Sequence, residues 1–132
     1  MIVAVNVNTK CEATVRYAVE IGRRYDAALY ICYVFWPSMR TQGDHYELID
    51  REQREFRHKL EDLADQVRGS VPICKAALLA GDPAKRIASL AQDVHAELIV
   101  TASSDPILTQ LLNVDKAVKM PCPVLVYHDK NA

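Results

Sequence analysis

The sequence predicts one α/β domain over residues 1–132, an open parallel sheet of five strands with helices on both faces. Three observations lead there. Five short apolar runs, rich in β-branched residues, are continuous rather than alternating, as in strands covered on both sides. The segments between them carry apolar residues at helical spacing. The two patterns alternate strictly, and right-handed crossovers wind such an order into a parallel sheet. A chain of 132 residues suits a single domain.

The first strand is MIVAV (1–5). Val15, Ala18, Val19 and Gly22 then fall at i, i+3, i+4 and i+7, and Thr9 with Glu12 forms a capping box that starts the helix near Lys10. AALYICYVF (27–35) is the second strand, and WPSMRTQG (36–43) has the composition of the long loop. From Asp44 to Arg68 the residues Ile49, Phe56, Leu60, Leu63 and Val67 recur at helical spacing. Glu47 with Arg51, Asp50 with Arg54 and Glu55 with Lys59 lie on the opposite face, which reads as solvated. VPICKAALLA (71–80) is the third strand. Asp82 caps and Pro83 opens a helix whose Ile87, Leu90, Ala91 and Val94 face the core. ELIVTA (97–102) is the fourth strand. A last helix begins at Pro106 with Ile107, Leu108, Leu111 and Leu112 inward, and PVLVY (123–127) closes the sheet.

Sixteen Lys and Arg against seventeen Asp and Glu give a net charge of -1, with no surplus for gripping nucleic acid or an anionic membrane. No apolar run approaches the length of a membrane span. No basic leader or cleavage site precedes Ile2, so a cytoplasmic protein is expected. Cys11, Cys32, Cys74 and Cys122 form no metal or redox spacing, and Cys32 and Cys74 read as small buried hydrophobes. His45, His58, His95 and His128 lack metal-ligand spacing, with His58 and His128 expected at the surface. With no nucleophile signature either, neither a metal site nor an enzyme is expected.

The opening MIVAVNVN, the helix and strand VRYAVEIGRRYDAALYICYV, the turn AGDPAKRI, then AELIV and PCPVLVY together resemble the universal stress protein family over nearly the whole chain. GDPAKRIASLA and PCPVLVY are the most specific pieces. The resemblance implies a Rossmann-like sheet of the adenine nucleotide alpha hydrolase-like kind with strand order 3-2-1-4-5. It also implies a homodimer with roles in stress survival and regulation rather than in a metabolic reaction.

Members of that family that bind ATP resemble one another in Gly-x-x-Gly followed, nine residues on, by Gly and Ser or Thr, between the fourth strand and the last helix. Glycines there let backbone N–H groups approach phosphates closely. In this chain the first two positions fall on Ala102 and Asp105. Aligning Leu111 and Leu112 puts Asn113 and Val114 at the last two, after a short deletion. None of the four matches. Asn6 stands where such relatives place an aspartate that meets the adenosine, and Val7 where glycine is common. Val34 ends the second strand and reads as sheet core or as the wall of an adenine pocket.

Asp105 before Pro106 is the signature of a helix N-cap, with the carboxylate accepting from the first free N–H groups. The chain's own anion would then take the place of a phosphate and repel one nearby. Ser103 and Ser104 read as turn residues or, through the resemblance, as phosphorylation targets. Lys10 reads as a surface lysine or an anion contact.

The expectation is therefore a homodimeric binding or regulatory module that does not bind ATP tightly, needs no cofactor, and meets itself and an unidentified protein partner. The dimer would form through strand 123–128, whose apolar edge has unpaired backbone groups. Family resemblance points to antiparallel pairing across a twofold axis. The alternative is an adenine nucleotide site for ATP or AMP with Mg²⁺ around Asn6, Val34, Ala102 and Ser103, with weak ATPase activity.

Overall fold

The computed structural model describes residues 1–35, 46–112 and 119–129, with the backbone alone for 46–50. Its elements are β1 (Ile2–Ala4), α1 (Glu12–Tyr25), β2 (Leu29–Phe35), α2 (Tyr46–Val67), β3 (Cys74–Ala80), α3 (Pro83–Asp93), β4 (Ile99–Ala102), α4 (Ile107–Leu111) and β5 (Val124–Tyr127). The strands form one sheet in the order β3-β2-β1-β4-β5, and every neighbouring pair is parallel. The expected fold class and strand order are both present.

Side chains alternate across a strand, so each strand feeds two cores. Val3, Leu29, Ile31 and Val100 point to one face, where α1 adds Val15, Ala18 and Val19 and α2 adds Leu60, Leu63, Ala64 and Val67. Ile2, Ala4, Cys32, Val34 and Ile99 point to the other, where Ile87 and Ala91 of α3 and Leu111 of α4 meet them. The expected inward stripes of α1, α2 and α3 account for most of this contact. Phe56 is half-buried between the rings of Tyr33 and Phe35, with centroids at 5.1 and 5.2 Å. The opposite face of α2 is solvated, as Arg57, His58, Glu61 and Asp62 show. Lys59 reaches not along its own helix but to Asn8, its Nζ donating to Oδ1 at 3.5 Å.

Two helix ends differ from the sequence expectation. Helix α1 begins at Glu12, with Cys11 at the cap position and no side-chain cap, so the Thr9–Glu12 capping box does not form. The Thr9 hydroxyl instead donates backwards to Asn6 O at 2.9 Å, and the Thr9 N–H donates to the same oxygen at 3.0 Å. Asn6 tightens this turn by accepting the Asn8 N–H on Oδ1 at 3.0 Å. Local asparagine chemistry thus outcompetes the cap. At the other end of the chain α4 stops at Leu111, and Leu112, expected inward, follows it as the cap residue and is 52% exposed.

Helix α3 begins as expected: Asp82 Oδ1 accepts the Ala84 N–H at 3.2 Å and Pro83 occupies the first turn. Gly81 ahead of it sits at φ +124, a region that a side chain rarely adopts. No helix among the described residues is long and apolar enough to cross a membrane. The segment 36–43, Ile49, Asn113, Val114 and His45 lie outside the described side chains.

Candidate functional site

In this strand order the chain leaves β1 for β2 on one side and reaches β4 on the other. Ligands of open α/β sheets gather beyond the carboxyl ends of the strands at such a switch point. Here that end carries Asn6 after β1, Val34 near the end of β2, Ala102 at the end of β4, and the turn to α4.

Two adjoining depressions lie there. A cleft of about 280 Å³ is lined by Asn6, Tyr33, Val34, Asp105, Ile107 and Gln110, among others. A recess of about 20 Å³ lies beside it, bounded by Asn6, Lys10, Cys11, Ala102, Ser104 and Asp129 among others. Val5, Asn6, Asp105 and Pro106 border both. Of the residues singled out in the sequence, Asn6 and Val34 therefore share the cleft, and Asn6 and Ala102 share the recess. Val34 is 8% exposed and packed in the core as well as lining the cleft. Ser103 lines neither depression.

Asp105 behaves as its sequence context dictates. Its Oδ1 accepts the Ile107 N–H at 3.0 Å, and its carbonyl accepts the Leu108 N–H at 3.0 Å. Pro106 is already helical at φ -57 and ψ -23, so the cap precedes a proline at the first turn.

Asp129 completes the site, and the sequence reading passed over it. Ser103 Oγ donates to Asp129 Oδ1 at 2.7 Å, and the Ser104 N–H donates to the same oxygen at 3.1 Å. Ser104 Oγ donates to Oδ2, while the Asp129 N–H donates to Ser103 Oγ at 3.2 Å. The sheet produces this contact. Ala102 pairs with Tyr127, and the Ser103 N–H extends the ladder to Tyr127 O at 2.8 Å, so continuing the one-to-one register brings residue 129 opposite 104. Strand register is the signal that could have found it.

The two carboxylates titrate in opposite directions. Burial pushes Asp105 above its ordinary range, the Ile107 N–H pulls it back, and the charge of Asp129 pushes it up again. The Ser104 and Ser103 hydroxyls hold Asp129 below its range. A raised carboxyl favours folding below its unfolded pKa, a contribution lost as pH rises through the folded pKa; for a depressed one the sign is reversed. Asp105→Ala is expected to lower stability at neutral pH by about 0.5–1 kcal/mol, the low end of the capping range because burial and Asp129 oppose the ionised cap. The loss should grow as the solution is acidified through the folded pKa of Asp105. Urea denaturation across the acid range measures both; equal stability of parent and variant would remove the capping role.

The thiols of Cys11 and Cys32 are both raised by burial. Burial pushes the Cys11 thiol up to about 11, with Glu12 and Asp105 adding to the effect, so it is protonated at neutral pH. Cys32 is buried and pushed up to about 12, again chiefly by burial. Tyr33 accepts a long bond from Asn8 Nδ2 at 3.4 Å, and burial raises its phenol. Among the described residues no group of three His, Cys, Asp or Glu side chains is placed to hold a metal ion. His58 pairs with Asp62 at 3.5 Å on the exposed face of α2.

The family model for the universal stress protein family matches residues 1–128. The chain belongs to the universal stress protein family. Solved members share its architecture. A universal stress protein from Burkholderia pseudomallei is 23% identical, with 97% of this chain and 95% of that one covered and a TM-score of 0.77. UspA from Lactobacillus plantarum is 22% identical, with 96% of each chain covered and a TM-score of 0.78. The universal stress protein from Archaeoglobus fulgidus in complex with dAMP is 21% identical, with 95% and 94% covered and a TM-score of 0.68. At such identities the likeness carries the fold. No curated protein sequence matches the chain. This universal stress protein has Ala102 and Asp105 on either side of the serine turn, and carries the Asp129 carboxylate on that turn.

Proposed function

We propose that this universal stress protein is a homodimeric regulatory module of the stress response that does not bind ATP tightly. The observation that carries this reading is the Asp129 carboxylate on the Ser103 and Ser104 donors, with the Asp105 carboxylate lining the same recess. Hydroxyl and backbone N–H donors at the end of a strand are what a phosphate oxygen needs. Here the chain's own anion takes them. The remaining volume of about 20 Å³ holds roughly one water, which needs about 10–15 Å³. Two carboxylates against the single ammonium of Lys10 leave the recess border net negative. The absence of glycine from 102 to 112 fits a branch in which the nucleotide site has degenerated.

The reading includes a cytoplasmic setting, no catalysis, and a partner that is a second copy of the chain, together with an unidentified protein. Strand β5 supports the dimer, since one of its edges pairs with β4 while the other adjoins no strand among the described residues.

A second reading keeps adenine nucleotides, ATP or AMP with Mg²⁺, at Asn6, Val34, Ala102 and Ser103, with weak ATPase activity. The cleft bordered by Asn6 and Val34 favours it, as does the dAMP complex of the Archaeoglobus relative. Calorimetric titration with ATP and Mg²⁺ separates the two. The first reading expects no saturable heat at sub-millimolar nucleotide, whereas a micromolar dissociation constant would establish the second.

A further inference from the structure

The end of the sheet opposite the cleft carries a cavity of its own. Met1 precedes β1, Ala27 and Ala28 precede β2, and Glu97 and Leu98 precede β4, and all of them border a pocket of about 520 Å³. That volume falls inside the usual small-molecule range of roughly 300–1,000 Å³. Helices from opposite faces of the sheet reach it: Ile21 and Tyr25 come from α1, and Val94 and His95 follow the end of α3. Each of the two helices is followed by a non-glycine residue in the left-handed region, Asp26 at φ 53 and His95 at φ 54. Glycine takes that conformation without strain, and strained residues gather at ligand sites. Asp26 lies between the lining residues Tyr25 and Ala27, and His95 lines the pocket itself.

The chemistry of the lining narrows the ligand. Ile21, Ala28, Val94 and Leu98 make it largely apolar. Tyr25 is 78% exposed and Tyr30 half-buried, and neither packs on another aromatic ring among the described residues. Glu97 is the one carboxylate of the lining among the described residues. Helices α1 and α3, of 14 and 11 residues, both bring their carboxyl ends here, and each such end carries a partial negative charge. Opposing them is the Met1 amino group, which donates to Ala28 O at 2.9 Å. Burial holds that group below its ordinary value of 8.0, with Cys122 and Glu97 drawing it back up, so at pH 8.0 less than half of it is charged. Arg23 and Arg24 in the last turn of α1 do not line the pocket, and Arg23 pairs with Glu20 at 3.4 Å. Tyrosine rings and a carboxylate attract an organic cation, and apolar walls cover the body that carries it. An anion would instead meet Glu97 and both helix ends.

We propose that the pocket at the amino ends of β1, β2 and β4 binds an organic cation, a protonated amine or quaternary ammonium group on an aromatic or aliphatic body. Glu97 and the carboxyl ends of α1 and α3 face the charge, while Tyr25, Tyr30, Val94 and Leu98 cover the body. The site lies at the far end of the sheet from the β4–α4 junction, so its failure would leave the reading of that junction as it stands.

Benzyltrimethylammonium, benzyl alcohol and phenylmethanesulfonate share a benzyl group and differ in the charge of the head group. Titrating the full chain with each at pH 8.0, where the Met1 amino group is mostly uncharged, tests the inference by NMR. The cation is expected to saturate with a dissociation constant about fivefold or more below those of the other two, and to perturb the backbone amides of residues 25–30 and 94–98. In Glu97→Gln the preference for the cation over benzyl alcohol should fall by about threefold or more, and Tyr25→Ala should weaken the cation by a similar factor. Both residues are exposed, and circular dichroism confirms that the variants are folded. Equal constants for the three probes, or a cation preference unchanged in folded Glu97→Gln, overturns the proposal. So does perturbation confined to Asn6 and residues 105–110, which would place the cation in the cleft, or the absence of saturation by any probe.

Discussion

Ile87→Ala is expected to lower the free energy of unfolding by about 2–5 kcal/mol, the usual cost of truncating a fully buried isoleucine. Ile87 is completely buried on α3 and packs in the core built by Ile2, Cys32, Val34 and Ile99. Removing three methyl or methylene groups loses their transfer free energy, and the space left cannot collapse easily because parallel strands hold the sheet floor rigid. Against a total stability of about 5–15 kcal/mol for a domain of ordinary size, that is a large share. The effect should reach function, because α3 carries Pro83 onto the cleft and α4 packs beside it. Chemical denaturation measures it. A loss below about 1 kcal/mol would mean that α3 is not docked on this face as described, since buried large-to-small changes seldom cost so little.

Val126→Pro is expected to convert the proposed dimer to a monomer while leaving the sheet intact. Pro123 O accepts the Ile99 N–H at 3.0 Å and Tyr127 O accepts the Ser103 N–H at 2.8 Å, so the backbone groups of these alternate residues face β4. The N–H and carbonyl of an extended residue point the same way, and neighbouring residues point oppositely. Val126 therefore aims its N–H at the outer edge, where proline is tolerated in an edge strand. In an antiparallel pairing across a twofold axis the same proline removes one N–H from each chain and thrusts its ring at the partner. Val126 is 37% exposed in the single chain, which leaves apolar surface at that edge for a partner to cover. Light scattering at micromolar concentration checks both states. A monomeric parent, or a variant that remains dimeric, would defeat pairing through β5.

The strands and the four helices are legible because their signals are local. Continuous β-branched runs, Asp82 before Pro83 and Asp105 before Pro106 each require a handful of adjacent residues, and each appears in the structure where the pattern places it. The start of α1 was misread because two local signals compete over the same residues: the Thr9 hydroxyl can cap a helix or close the Asn6 turn, and it does the second. Leu112 fits the apolar stripe, but α4 ends one residue before it and leaves it exposed.

The site was legible in part. Asn6 and Val34 share the cleft, and Asn6 and Ala102 the recess, because strand ends at a switch point must converge. Asp129 was not, because its partners Ser103 and Ser104 lie 26 and 25 residues away and meet it only through the register of β4 with β5. Tyr33 is illegible for a similar reason: within the run ALYICYVF it looks like any other strand residue, and it borders the cleft only once β2 lies beside β1.

The claim on which the rest depends is that a carboxylate of the chain itself fills the phosphate position at the β4–α4 junction. A crystal structure of the freshly purified protein, grown without removing whatever it retains, tests this most directly at the carboxyl ends of β1 and β4. The expected result is the Asp129 carboxylate on the Ser103 and Ser104 donors, with no phosphate density between Asn6 and Ala102. Tetrahedral density seated on those serines, with Asp129 turned away, would contradict it.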